Sequence, residues 1–116
     1  MPLWVIRIVA GDPPQFVPQL QDGGPQGLLA QAGDSISWTN ETMDVQQPWP
    51  VDADFKPLAP DKVGPRGQPK SNYLSDEIPP GHSSRPSWIA FGDPGTTINY
   101  CSLQNPLARG VITITS

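Results

Sequence analysis

The sequence predicts an all-β fold, a two-sheet antiparallel Greek-key sandwich, and three observations lead to that prediction. Short runs rich in Val, Ile, Trp, Tyr and Phe recur along the chain, and 16 prolines and 11 glycines fall between them as turns do between strands. No segment repeats apolar residues at the spacing of a long amphipathic helix. Because 116 residues suffice for one core between two layers, we expect a single domain over residues 1–116.

The first part of the chain contains three segments with strand-like patterns. LWVIRIV, residues 3–9, is rich in β-branched residues, and the Gly-Asp-Pro-Pro cluster after it ends the strand. QFVPQL, residues 15–20, is a second short extended segment. QGLLAQAGDSISWTN, residues 26–40, joins an apolar run to an alternating strand through an Ala-Gly-Asp turn, and this pattern predicts a hairpin-like element.

The second part begins with a long segment that lacks any regular period. From Glu41 to about Leu74 the prolines and glycines predict a long loop that includes residues 56–72, with room for a short strand or helical turn at Val51 to Phe55. Three strands are then predicted within EIPPGHSSRPSWIAF, TINYCSL and GVITITS, with GDPGT as a turn between the first two. We expect these three strands to form a meander.

The charge and hydropathy of the chain argue against two classes of partner. Seven Lys and Arg against eleven Asp and Glu give a formal net charge of −4, which is not typical of proteins that bind nucleic acid or anionic membranes. Lys56, Lys62, Arg66 and Lys70 are interpreted as solvated loop residues. No run approaches the ~18 apolar residues that span a bilayer, and no basic, hydrophobic leader precedes the first strand. We expect no nucleic-acid partner, no membrane span and no signal peptide in this chain.

Three stretches, in matching order, resemble the cupredoxin family of small β-sandwiches, which includes plastocyanin, amicyanin and pseudoazurin. AGDSISWTN resembles the G-D-x-[VI]-x-W-x-N strand of that family. IPPGHSSRPSWIAFGDPGT resembles its P-G-x-S turn, the following strand and a P-G-T turn, and INYCSLQNPLARGVITI resembles its Y-x-C-x-x-H loop and closing strand. The resemblance implies a cupredoxin-like fold over nearly the whole chain and a periplasmic or extracellular location.

In that family one copper ion is held by a His after the W-x-N strand, and by a Cys, a second His and usually a Met from the later loop. This ligand set suits cycling between Cu(I) and Cu(II). Carried over by position, the resemblance places Gln46 and Gln104 at the two histidines, Cys101 at the cysteine, and Leu107 or Ala108 at the methionine. Since a neutral amide is a poor substitute for imidazole on copper, we expect a degenerate copper site and no copper cofactor.

Two arrangements of these positions are considered. In one, Gln46 and Gln104 hydrogen-bond to each other or to nearby backbone, while Cys101 packs as a small buried hydrophobic residue. In the other, both glutamines point to solvent. His82 is the one histidine, and its Pro-Gly-His-Ser turn favours a position on the surface. One Cys and one His do not complete a zinc site.

Other patterns that can mark sites have commoner explanations. Two carboxylate pairs beside prolines are interpreted as solvated loop residues rather than acid-base or calcium sites: Asp52 with Asp54, and Asp76 with Glu77. NET, residues 40–42, matches the N-glycosylation pattern, which matters only in a secreted eukaryotic protein. Because no base lies near Cys101 in sequence, we do not expect an enzyme.

An apolar set is expected at the end of the sandwich where the family binds copper. If exposed, it would suit a protein partner, and if buried it would be core: Pro48, Trp49, Pro50, Leu103, Pro106 and Leu107. Our hypothesis is a copper-free cupredoxin-like module for binding, assembly or structure, with a protein partner or with self-association through sheet edges. The alternative is a small electron-transfer protein that binds copper through Cys101 and non-standard ligands, and it predicts a visible absorption band on copper addition.

Overall fold

The computed structural model describes residues 3–18, 27–65, 71–84 and 87–115, which form eight strands in two sheets and one 3-10 helix. The strands are β1 Leu3–Val9, β2 Gln15–Pro18, β3 Gly27–Gln31, β4 Ser35–Asn40, β5 Pro48–Pro50, β6 Trp88–Ile89, β7 Thr97–Ser102 and β8 Asn105–Thr115, and the helix is Pro60–Lys62. The first sheet has the order β2-β1-β4-β6 and the second has the order β3-β8-β7-β5. The predicted all-β, two-sheet sandwich is confirmed.

Both sheets are mixed rather than purely antiparallel. β1 pairs with β4 in parallel, and β3 pairs with β8 in parallel, while the remaining strand pairs are antiparallel. Parallel neighbours need a crossover connection instead of a tight turn. Here the chain leaves the first sheet after β2, contributes β3 to the second sheet, and returns as β4 beside β1. The parallel pair β1–β4 therefore follows from the way the chain alternates between the sheets.

Two predicted local pairings are wrong. β3 and β4 do not form a hairpin, because β3 lies in the second sheet and β4 in the first. The turn between them passes from one sheet to the other, with the Asp34 N–H donating to the Gln31 carbonyl. β6 also belongs to the first sheet, so the predicted meander reduces to the β7–β8 hairpin. Hydrophobic pattern locates strands, but it does not say which sheet receives each one.

The core lies between the two sheets and is centred on aromatic contacts. The Tyr100 ring of β7 makes edge-to-face contacts with Phe16 and Trp38, at centroid distances of 4.8 and 5.5 Å. Gly110 of β8 lies opposite Tyr100, and a Cβ there would come within 2.3 Å of the tyrosine ring. Glycine is therefore needed at this position, because it lets the ring pack directly against the β8 backbone.

The loop predicted from Glu41 to about Leu74 contains a strand that was not predicted there, β5 at Pro48–Pro50, and several short elements order the described part of the connection from β5 to β6. Val51 forms a bridge with Pro57, and the Asp52 carboxylate accepts the N–H groups of Asp54 and Lys56, both at 2.9 Å. The element expected at residues 51–55 is thus a closed turn. Arg66 and Lys70 lie outside the described residues, as does part of the predicted 56–72 loop. Within the described part of the chain, no helix is long and apolar enough to cross a membrane.

Candidate functional site

A buried polar network begins where β4 ends. The side-chain amide of Asn40 donates to the carbonyls of Asp44 and Ile78, at 2.7 and 2.8 Å. Its Oδ1 accepts from both the backbone N–H and the hydroxyl of Thr42, at 2.9 and 2.7 Å. Because Asn40 has no exposed surface, a glycan at the predicted NET acceptor is incompatible with the folded chain. The role of Asn40 is to order the loop after β4.

Gln46 extends this network to β7. Its side chain is 2% exposed, its Nε2 donates to Thr42 Oγ1 at 3.1 Å, and its Oε1 accepts from the Ser102 hydroxyl. Its backbone N–H and carbonyl also pair with Ile78, at 3.1 and 2.7 Å. Gln46 is therefore buried and hydrogen-bonded, and its side-chain partners are Thr42 and Ser102.

Cys101 faces away from Gln46, because successive side chains of a strand point to opposite faces. β7 keeps one register with β5 from Tyr100 to Ser102, so the alternation continues through these three residues. Tyr100 belongs to the core between the sheets. Cys101 and Trp49, which lies opposite it on β5, are buried but are not part of that core cluster. The residue of β7 that meets Gln46 is consequently Ser102.

Trp49 and Arg109, the neighbours of Cys101 on β5 and β8, contact residues 51–58, here called the covering segment, on the outer face of the second sheet. The Trp49 indole N–H donates to the Leu58 carbonyl at 2.8 Å, and the Trp49 ring makes an edge-to-face contact with Tyr73 at a centroid distance of 5.5 Å. These contacts hold the segment over the strand pair that carries Cys101. Cys101 has no exposed surface, as in the first of the two arrangements considered, whereas Gln104 is exposed, as in the second.

The surroundings of the thiol favour its neutral form. Burial raises the pKa of Cys101 to about 11, although the positive charge of Arg109, opposite it on β8, lowers that pKa. The Arg109 guanidinium lies 4.5 Å from the centroid of the Phe55 ring, which comes from the covering segment. Because the thiolate is the nucleophilic form of cysteine, burial makes Cys101 a weak nucleophile at neutral pH.

The predicted copper-ligand positions do not converge. Gln46 lies in the buried network, Cys101 lies on the opposite face of β7, Gln104 is exposed, and the Leu107 side chain is 67% exposed. A copper centre of this kind needs a thiolate and two imidazoles around one point, so the residues present do not fit a copper ion. Among the described residues, no group of three or more His, Cys, Asp and Glu side chains could hold a metal ion.

The predicted apolar patch is divided by the fold. Pro48, Trp49 and Pro50 form β5 and are buried, so they belong to the interior and not to a surface patch. Leu103 is half-buried, and its N–H donates to the Gln47 carbonyl. The exposed members of the set are Pro106 and Leu107, near the start of β8.

The other candidate residues have structural roles. His82 is exposed, as predicted, and its carbonyl accepts the Asn40 N–H at 2.9 Å in a turn that packs beside β4. Asp76 accepts a hydrogen bond from the Tyr73 hydroxyl at 2.6 Å. Sequence reasoning did not identify Thr42 or Ser102. A usable indication was present, because the Y-x-C spacing counted from Tyr100 ends at Ser102.

No protein-family model and no curated protein matches the sequence. Solved structures do match: a novel purple cupredoxin from Nitrosopumilus maritimus is similar with a TM-score of 0.64 and 17% identity, over 96% of this chain and 98% of that chain. Amicyanin from Paracoccus versutus is similar with a TM-score of 0.59 and 12% identity, over 95% of this chain and 78% of that chain. Likeness at these identities shows the fold, and this chain is a cupredoxin-like β-sandwich.

Proposed function

We propose that this chain is a copper-free cupredoxin-like module that acts by binding or assembly, or as a structural unit. The observation that carries the proposal is the state of Gln46, which is buried and already hydrogen-bonded to Thr42 and Ser102. Copper at this position would have to displace both hydrogen bonds and accept an amide in place of imidazole. Both changes are unfavourable, because buried polar groups need their partners and an amide is a weak copper ligand.

The chemistry of the thiol supports the same proposal. Cys101 faces the other side of β7, and burial raises its pKa to about 11, so binding a metal would require deprotonating a buried group. The covering segment, held by the Trp49–Leu58 hydrogen bond, would also have to open. Electron transfer through a copper ion on Cys101 is therefore the less favoured function.

A non-enzymatic role follows from the same placement of residues. A nucleophile needs a neighbouring base, whereas Cys101 is buried under the segment after β5 and His82 is exposed in a turn beside β4. The module would be one domain over residues 1–116, located in the periplasm or outside the cell, as the cupredoxin likeness favours. Its partner would be a protein or a second copy, met at the end that exposes Pro106 and Leu107.

Copper titration tests the proposal. Cu(II) and Cu(I) are added to the purified chain while visible absorption and calorimetric heat are followed, with Cys101→Ala as the matched control. We expect no stoichiometric binding above that control. A stoichiometric visible band that disappears in Cys101→Ala would contradict the proposal and support the electron-transfer alternative.

A further inference from the structure

We infer that the ligand cysteine of cupredoxins corresponds in this chain to Ser102, one residue beyond Cys101. The hydrogen-bonded side chains of Gln46 and Ser102 then occupy the place where related proteins bind the metal. The inference rests on the proposed function, since both concern the same locus, but it makes a separate claim about position. It removes Cys101 from the set of former ligand positions and replaces it with a residue that sequence reasoning did not consider.

Side-chain contact supports Ser102 as the position that faces Gln46. The ligating atoms of two side chains on one metal ion lie about 3 to 4 Å apart, because each atom lies about 2.0 to 2.3 Å from the ion. Ser102 Oγ donates to Gln46 Oε1, so these two side chains already meet in the space that a shared ion would need. Cys101 cannot share that space, because the regular β5–β7 register turns it to the opposite face of the strand.

The spacing of the family pattern leads to the same residue. The Y-x-C-x-x-H pattern, counted from the buried Tyr100, places its Cys at Ser102 and its His at Asn105. Asn105 is half-buried and pairs with Ser102 across the β7–β8 hairpin, where the register shifts after Cys101. Gln104, the position obtained by counting from Cys101, is exposed.

The axial position agrees with this shift. The count from Cys101 gave Leu107 or Ala108 for the methionine, and moving it by one residue selects Ala108. Leu107 is 67% exposed, whereas Ala108 is 1% exposed and belongs to the core cluster. The shifted set, Gln46, Ser102, Asn105 and Ala108, contains neither an imidazole nor a thiolate. All four family ligands are therefore replaced, and Cys101 is not the remnant of a copper site.

Two matched sets of substitutions test the position of the locus. The first set is Gln46→His, Ser102→Cys and Asn105→His in a Cys101→Ala background. The second set is Gln46→His and Gln104→His with Cys101 retained. Each is titrated with Cu(II), and the visible thiolate-to-copper charge-transfer band is measured. We expect one equivalent of copper to produce the band in the first set and no band in the second. A band in the second set would overturn the inference.

If the variant with Ser102→Cys does not fold or gives no band, a measurement on the unaltered chain shows whether Ser102 or Cys101 faces Gln46. We expect nuclear Overhauser effects between the Gln46 side-chain amide protons and the Ser102 β-protons. Effects to the Cys101 β-protons in their place would overturn the inference. Copper binding by the unaltered chain tests only the proposed function, so failure of that proposal and failure of this inference are distinguishable.

Discussion

Gln46 is stable inside the protein because the nitrogen and the oxygen of its side-chain amide both have partners there. An amide buried without a hydrogen bond costs roughly 2 to 7 kcal/mol, depending on the reference state. The Thr42 and Ser102 hydroxyls remove most of that cost. Cys101 needs no such partner, since a thiol packs as a small hydrophobic residue. The two positions are both buried, but only Gln46 belongs to a polar network.

Replacing Gln46 should therefore destabilise the fold. In Gln46→Leu the Thr42 and Ser102 hydroxyls each lose a partner, and we expect the free energy of unfolding to fall by about 1 to 3 kcal/mol. Urea unfolding followed by tryptophan fluorescence measures this change. Gln104→Leu is the matched control, because Gln104 is exposed and its replacement should change stability by less than about 0.5 kcal/mol. Equal effects of the two substitutions would contradict the buried network.

The Cys101 thiol makes stability depend on pH in the alkaline range. A cysteine in the unfolded chain ionises near pH 8.5, whereas burial in the folded chain raises the pKa of Cys101 to about 11. The fold thus favours the neutral thiol, whose stabilising contribution is complete below about pH 8.5 and is lost as the pH rises through about 11. Between pH 8 and pH 11 the free energy of unfolding of the chain should fall by about 3 kcal/mol more than that of Cys101→Ala. Both proteins are unfolded with urea at each pH. An equal loss of stability in the unaltered chain and in Cys101→Ala would contradict the prediction.

Among the elements, the segment after β5 has the clearest role, because it covers the outer face of the second sheet. Trp49 connects β5 to Leu58 by a hydrogen bond, and Arg109 of β8 contacts the Phe55 ring. The Leu58 N–H of the same segment donates to the Pro50 carbonyl of β5, a three-residue edge strand whose two prolines have no N–H to donate. This edge is therefore poorly suited to self-association through strand pairing.

The covering segment should control access to the thiol. In Trp49→Phe the Leu58 carbonyl loses its donor, at a cost of about 1 kcal/mol, so we expect Cys101 to react with a thiol reagent about fivefold faster at pH 8. The matched control is Trp88→Phe, which removes a similar indole bond, to the Ser71 carbonyl, from the main core. If both variants react equally fast, access to Cys101 requires global unfolding, and a local role of the segment is excluded.

At the scale of the whole molecule, the sequence predicted the sandwich but not the routing of the chain. Turn residues and β-branched runs mark strands locally, whereas the parallel partners Leu28 of β3 and Ile112 of β8 are far apart in sequence. Burial of Gln46 and Cys101 was one of the two arrangements that the sequence left open, and both residues are buried in the structure. The sequence did not predict that Ser102 rather than Cys101 contacts Gln46, because the face of β7 on which each residue lies depends on register.

The copper-free proposal predicts that the stability of the fold does not depend on metal. A ligand present at 100 times its Kd stabilises a protein by about 2.7 kcal/mol, which in a domain of this size raises Tm by about 10 °C. The polar network joins Asn40, Thr42, Gln46 and Ser102 through protein groups alone, so neither EDTA nor Cu(II) should shift the Tm of the unaltered chain by more than about 1 °C. Differential scanning calorimetry measures the Tm. The positive control is the variant with Gln46→His, Ser102→Cys and Asn105→His in the Cys101→Ala background, whose Tm copper should raise. A fall of several degrees in EDTA would mean that a metal contributes to the native fold, and the copper-free proposal would then be wrong.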